Sequence, residues 1–184
     1  STAELLETVQ RVNADQVVVL PNNKNLIPVA EQLDELTEKT VVVVPTRSMP
    51  EALAALVAYD ADADAIVNAT EMTEAAGSVV TGEVTRAVRN STSGVGAIAE
   101  GDWIGLVRGD GIVAVASSVG GAAMALLDVI VGESAELVTM VTGSDADDAV
   151  TEQIVGWLGD HRGDIHVDVH HGGQPLYPYL FGVE

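Results

Sequence analysis

VVVLPNNKNL, residues 17–26, is the stretch that decides the fold. Four apolar residues run into a proline, then an amide-rich loop, then a segment with helical apolar spacing. The same order returns 24 residues later in VVVVPTRSMP, residues 41–50. A buried strand, a polar loop and a helix make one βα unit, and two in tandem predict a parallel sheet. In such sheets the loops after the strand C-terminal ends form the ligand-facing edge. Those loops hold Asn22, Asn23, Lys24 and Asn25, then Thr46, Arg47 and Ser48.

A chain of 184 residues can build one large domain or two small lobes. Its 47% hydrophobic content and clear periodicities describe a folded protein. The formal charge is −20, from 28 acidic and 8 basic residues, which makes nucleic acid and anionic membranes poor partners. Four of the eight bases, Lys24, Arg47, Arg86 and Arg89, lie in segments singled out on other grounds. A local basic site in an acidic body focuses anions. Cysteine is absent, which excludes disulfides, thiolate nucleophiles and cysteine-based zinc sites. The longest uncharged run, 111–127, is broken by Gly120 and Gly121, so no membrane span is expected. The chain opens inside a helical pattern without a signal peptide or an initial Met, and reads as a piece of a longer, cytoplasmic polypeptide.

Periodicity predicts helix 3–13, strand 16–20 and helix 25–37, the last with Asn25 as cap and Pro28 in its first turn. Strand 40–45 follows, then helix 49–58 opened by a Ser48–Glu51 capping box. Asp62 or Asp64 caps a helix to about Ala76. The period then changes to two. Residues 79–89 place Val80, Val84 and Val88 on one face, with Arg86 among them. Short strands near 96–99, 103–107 and 112–116 make an antiparallel meander, an insert of about 79–116 in an α/β chain read as one domain, 1–184. Helix 119–132, strand 136–142, helix 146–159 capped by Ser144 or Asp145, strand 165–169 and strand 176–183 complete it.

Each polar feature has a plain reading beside a functional one. The Asn22–Asn25 loop precedes a helix N-terminus, where free N–H groups favour anions, yet three Asn and a Lys also make an ordinary turn. Arg86 on an apolar face must either pair with a carboxylate or point into a polar site. His166, Asp168 and His170 share one strand face, a metal-ligand spacing that lacks a fourth ligand. Tyr177 and Tyr179 flank Pro178, which suggests an edge strand; their rings are either an exposed anchor or core. The chain has no GxxxxGK[ST], GxGxxG or GxSxG motif, so nucleotide chemistry is expected elsewhere. A tunnel behind the first two loops would favour a ligand, and a filled core would favour docking.

LPNNKN at 20–25, VVPTRSMPEALAALVAYD at 43–60, GEVTRAVR at 82–89, GDWIGLV at 101–107 and GGQPLYPYLFGVE at 172–184 together resemble one family across nearly the whole chain. It is the C-terminal domain of the dihydroxyacetone-kinase-like, ATP-binding subunit of bacterial fatty acid kinase. The resemblance implies a DegV-like α/β fold and a non-catalytic docking or regulatory role. The domain would engage a DegV-type fatty-acid-binding protein, so that the N-terminal kinase domain of the same chain, carrying Mg-ATP, phosphorylates the bound acyl carboxylate for phospholipid synthesis. No cofactor is expected in the domain itself, and a homodimer is left open. The motif positions it carries over are Asn22, Asn23, Lys24, Asn25, Thr46, Arg47, Arg86, Arg89, Gly173, Gln174 and Tyr177, without individual roles. The alternative is a domain that binds, or acts on, a small carboxylate or phosphate through the loops after the first two strands.

Overall fold

The two valine runs do pair in parallel. In the computed structural model, which describes all of residues 1–184, β1 (Gln16–Val19) and β2 (Thr40–Val43) are in register from Gln16↔Thr40 to Val19↔Val43. They form the sheet of an N-terminal unit, Ser1–Val79. Val17 and Val41 pack with Val9, Ala30 and Leu33, whereas Val18, Leu20 and Val44 pack with Ala55, Met72 and Ala76. Alternation along a strand sends successive side chains to opposite faces, so an unbroken valine run suits a sheet covered on both. Helix α1 (Thr2–Arg11) opens on a Ser1–Glu4 capping box. Two further helices, α3 (Met49–Val57) and α4 (Ala65–Ser78), follow β2, and Asp64 caps α4 by accepting from Ile66 and Val67 N–H.

Three local expectations fail in this unit. The helix predicted over 25–37 is only α2 (Ile27–Ala30) and a separate 3-10 turn, Asp34–Leu36. Asp34 Oδ1 accepts the Val41 N–H at 2.8 Å, so its carboxylate seats β2 and does not sit on a continuous helix. Leu36, an apolar residue near the end of that predicted helix, is 49% exposed. Asn25 is no cap: Leu26 holds that place, and the Asn25 N–H donates to Asn23 Oδ1 at 2.9 Å in an Asx turn. The capping box at α3 is also incomplete. Ser48 stands at the N-cap without a side-chain bond to the first turn, and the Glu51 carboxylate accepts the Arg47 N–H at 2.6 Å.

Residues Val80–Glu184 form the second unit around a six-stranded sheet. Its strands are β3 (Val80–Arg86), β6 (Trp103–Val107), β7 (Gly111–Ala116), β8 (Leu137–Thr142), β9 (His166–His171) and β10 (Tyr179–Val183), in spatial order β7-β6-β3-β10-β8-β9. A small hairpin, β4 (Ser91–Ser93) with β5 (Gly96–Ile98), leaves the sheet between β3 and β6. The meander therefore supplies three strands of the main sheet, and only β8–β9 pair in parallel there. Helix α5 (Val119–Ile130) lies close on this sheet because Gly82 and Gly105 offer no side chain. A Cβ on either would stand 2.9 Å from Ile130 Cδ1 or Leu126 Cβ. Helix α6 (Asp148–His161), capped by Asp147, adds Ile154 and Leu158 to a core with Met140, Tyr179 and Phe181.

The last strand corrects the reading of the tyrosines. β10 is not an edge; it runs between β3 and β8. Pro178 precedes it and costs the ladder no donor. Tyr179 is fully buried, its hydroxyl donating to Asp147 O at 3.1 Å and lying 3.0 Å from Thr151 Oγ1. It is a core residue that anchors the start of α6.

Candidate functional site

At the β1 exit Asn22 takes a left-handed φ of 55°, which an asparagine tolerates. Its Oδ1 accepts from the Thr46 hydroxyl at 2.8 Å, and its N–H donates back to Thr46 Oγ1 at 3.2 Å. Thr46 is fully buried, so its hydroxyl needs a partner, and this reciprocal pair ties the β1 loop to the β2 loop. Lys24 and Arg47, one in each loop, are exposed, and neither takes part in an ion pair or a side-chain hydrogen bond. The loops thus present two uncommitted cations from a latched backbone. A groove of about 610 Å³ in this unit lies elsewhere, along β1 and α4, with Leu56, Tyr59 and Met72 among its walls and none of the candidate loop residues.

Gly173, Gln174 and Tyr177 meet in the second unit, at the C-terminal ends of the parallel pair β8–β9. The Gly172 and Gly173 N–H groups both donate to Thr142 O, at 2.9 and 3.1 Å. Gly143 N–H donates to Pro178 O at 2.8 Å and Ser144 N–H to Gln174 O at 2.9 Å. Gln174 Nε2 donates to Val141 O at 3.2 Å and Tyr177 O at 3.0 Å, while its Oε1 is buried with no donor. The Gln174 amide is thereby committed to bracing the loop. Gly143 is the residue that sequence reasoning passed over. A Cβ there would lie 2.3 Å from Tyr177 O and 2.6 Å from Gln174 O, so the loop can close only over a glycine. The signal was its place directly after the apolar strand.

Arg86 is exposed, not buried on an apolar face, because β3 ends at that residue. Its Nε donates to Gly101 O at 3.0 Å and its guanidinium stands 5.8 Å from the Trp103 ring centre, a cation–π contact. Val88, expected beside Val84, is 85% exposed, and Arg89 next to it is also exposed. Val95, in the turn of the hairpin, is 51% exposed. No acidic residue occurs between Glu83 and Glu100. Arg86, Val88, Arg89 and Val95 thus give this segment exposed basic and apolar groups on a chain of charge −20, with Glu100 and Asp102 flanking the Gly101 that Arg86 binds. Glu83 itself is half-buried in β3, and desolvation raises its pKa above the ordinary glutamate value. His166 and Asp168 stand 3.0 Å apart on the exposed face of β9.

Two uncharacterized proteins of Staphylococcus aureus, from strains bovine RF122 / ET3-1 and USA300, are each 34% identical over 184 residues, all of this chain and 33% of theirs. The chain therefore spans about a third of the length of the curated relatives it matches. Among solved structures, a DegV family protein from Corynebacterium glutamicum superposes with a TM-score of 0.65 at 13% identity, over 100% of this chain and 80% of that one. A DegV family protein from Ruminococcus gnavus, refined with vaccenic acid, gives 0.66 at 12%, over 100% and 77%. The dihydroxyacetone kinase from C. freundii, in complex with AMP-PNP and Mg2+, gives 0.65 at 12%, over 100% and 41%. At these identities the likeness establishes a DegV fold. The family model for the C-terminal region of FakA-like fatty acid kinase subunits matches residues 1–184, and with that match over its whole length the chain belongs to that family.

Proposed function

We propose that this chain is a docking or regulatory domain within a subunit of a fatty acid kinase, and that it carries out no phosphoryl transfer itself. It engages a DegV-type fatty-acid-binding protein in the cytoplasm, so that a kinase domain elsewhere in the longer polypeptide, which holds Mg-ATP, phosphorylates the bound acyl carboxylate. Family membership supports the kinase context. The observation that carries the docking reading is the surface of Arg86, Val88, Arg89 and Val95. Its apolar groups are open to burial, and its two guanidinium groups are the kind that interfaces favour. On an acidic chain such a surface orients an acidic partner and speeds encounter.

The test is association kinetics with a DegV-type fatty-acid-binding protein at two salt concentrations. Arg86→Glu combined with Arg89→Glu is expected to slow association by roughly tenfold and flatten its salt dependence. Unchanged kinetics in that variant refutes the surface. A longer kinase chain that binds while these 184 residues do not refutes the docking role. Calorimetry with Mg-ATP tests the non-catalytic part, and micromolar binding to this chain sinks it. A second reading, in which a small carboxylate or phosphate is held by the first two loops, is favoured by the uncommitted Lys24 and Arg47. Phosphate or acyl-carboxylate binding that disappears in Arg47→Glu supports it.

A further inference from the structure

β1 is hydrogen-bonded on one side only, since its sheet contains just β1 and β2. Thr40 N–H donates to Asp15 O at 2.9 Å and Val44 N–H to Val19 O at 3.0 Å. Backbone groups alternate in direction along a strand, so those of Gln16, Val18 and the following Leu20 face away from β2 and form an unpaired edge. The 610 Å³ groove runs along this edge. Gln16, Val18 and Leu20 line it, with Leu56, Tyr59 and Met72 as apolar walls. Doubly wound sheets of order 2-1-3 place a third parallel strand at this position, and a strand pair alone is marginal. The wall itself is firm. Gln16 Oε1 accepts the Ala65 N–H, and the Asn68 amide binds the carbonyls of Asp60, Ala63 and Asp64.

The rim has a definite charge. Asp15 and Asp64 line the groove, and Asp60 and Asp62 belong to the loop that forms its wall. Lys39 stands at the same end, its ammonium donating to the carbonyls of Val12 and Ala14. Two carboxylates, Asp15 and Asp64, thus line the groove, with two more in the adjoining loop and one cation nearby. A second copy of this chain brings the same acidic rim and the same charge of −20, so like-charge repulsion disfavours it as occupant.

We propose that this groove is a strand-accepting site for a partner protein, whose extended segment is apolar at alternate positions and ends in a Lys or Arg beside Asp15 and Asp64. The segment's backbone pairs with Gln16, Val18 and Leu20, and its alternate side chains enter between Leu56, Tyr59 and Met72. Strand addition of this kind draws affinity from main-chain bonds and selectivity from the pockets. The proposal does not depend on the role given to Arg86 and Arg89.

Amide hydrogen exchange of the 184-residue chain, with and without the acetylated peptide Lys-Val-Thr-Val-Thr-Val-Lys and its glutamate-ended counterpart, tests it. The lysine-ended peptide is expected to slow exchange at Val18 and Leu20 and to bind roughly tenfold more tightly than the other. Asp15→Lys, on an exposed residue, is expected to invert that preference. Val18→Pro removes an edge donor that β2 does not use, and is expected to abolish binding; should it fail to fold, Asp15→Lys decides alone. Equal binding of the two peptides, protection confined to other residues, edge amides already protected in the free chain, or protection that grows with protein concentration overturns the proposal.

Discussion

Replacing Thr46 with valine keeps the volume of a fully buried side chain and removes one hydroxyl. Two hydrogen bonds vanish with it, the 2.8 Å donation to Asn22 Oδ1 and the 3.2 Å donation from Asn22 N–H. Each such bond contributes about 1 kcal/mol net. The Asn22 side is half-buried, so water recovers part of the loss, and the expected cost is about 1–2 kcal/mol. The left-handed φ of 55° adds a second handle, because Asn22→Gly relieves backbone strain while removing Oδ1. The two substitutions share one bonded pair and must couple. The double variant is expected to be more stable than the sum of the singles implies, by about 0.5 kcal/mol or more. Urea denaturation followed by circular dichroism measures these values, with Asn22 amide exchange as the local reporter. Thr46→Ser, which keeps the hydroxyl, is the control. A Thr46→Val variant within about 0.3 kcal/mol of wild type, or strict additivity in the cycle, would refute the latch.

Gly143→Ala is expected to cost about 3 kcal/mol or more, since its Cβ would meet backbone oxygens at 2.3 and 2.6 Å; the same denaturation series measures it, and Gly172 and Gly173 amides that stay protected would show that the loop adapts. Tyr179→Phe loses the hydroxyl bonds to Asp147 O and Thr151 and is expected to lower stability by about 1 kcal/mol, read from the urea midpoint. Glu83 supplies a pH prediction. Its folded pKa is raised above 4.5 by burial, so the folded state binds the proton more tightly than the unfolded state. That contribution is full below the ordinary glutamate value and is lost as pH rises through the raised folded one. Glu83→Gln is therefore expected to stabilise the chain at neutral pH and to flatten this decline, as thermal unfolding at several pH values will show; an unchanged profile rules Glu83 out as its source.

Elements with a local cause are legible in the order of the residues. Unbroken valine runs at 17–19 and 41–44 mark buried strands, and the Asp62 or Asp64 cap marks the start of α4, which the structure gives to Asp64, because period and capping depend on residues two to four positions apart. The strand-exit loops with Asn22 and Thr46 are legible for the same reason. Features that depend on distant partners are settled only in the folded chain. Asp34 ends a predicted helix by bonding Val41, and the Glu51 carboxylate reaches past the cap position to the Arg47 N–H. β10 is a central strand, not an edge, because it pairs with β3 and β8, and the loop before it is joined to β3 where the Thr85 hydroxyl donates to Leu176 O, 91 residues away in sequence. That pairing buries Tyr179, and the end of β3 at Arg86 puts a guanidinium predicted for an apolar face into the open beside Trp103. Periodicity records which residues share a face; whether that face meets core or solvent is set by which strands arrive on either side.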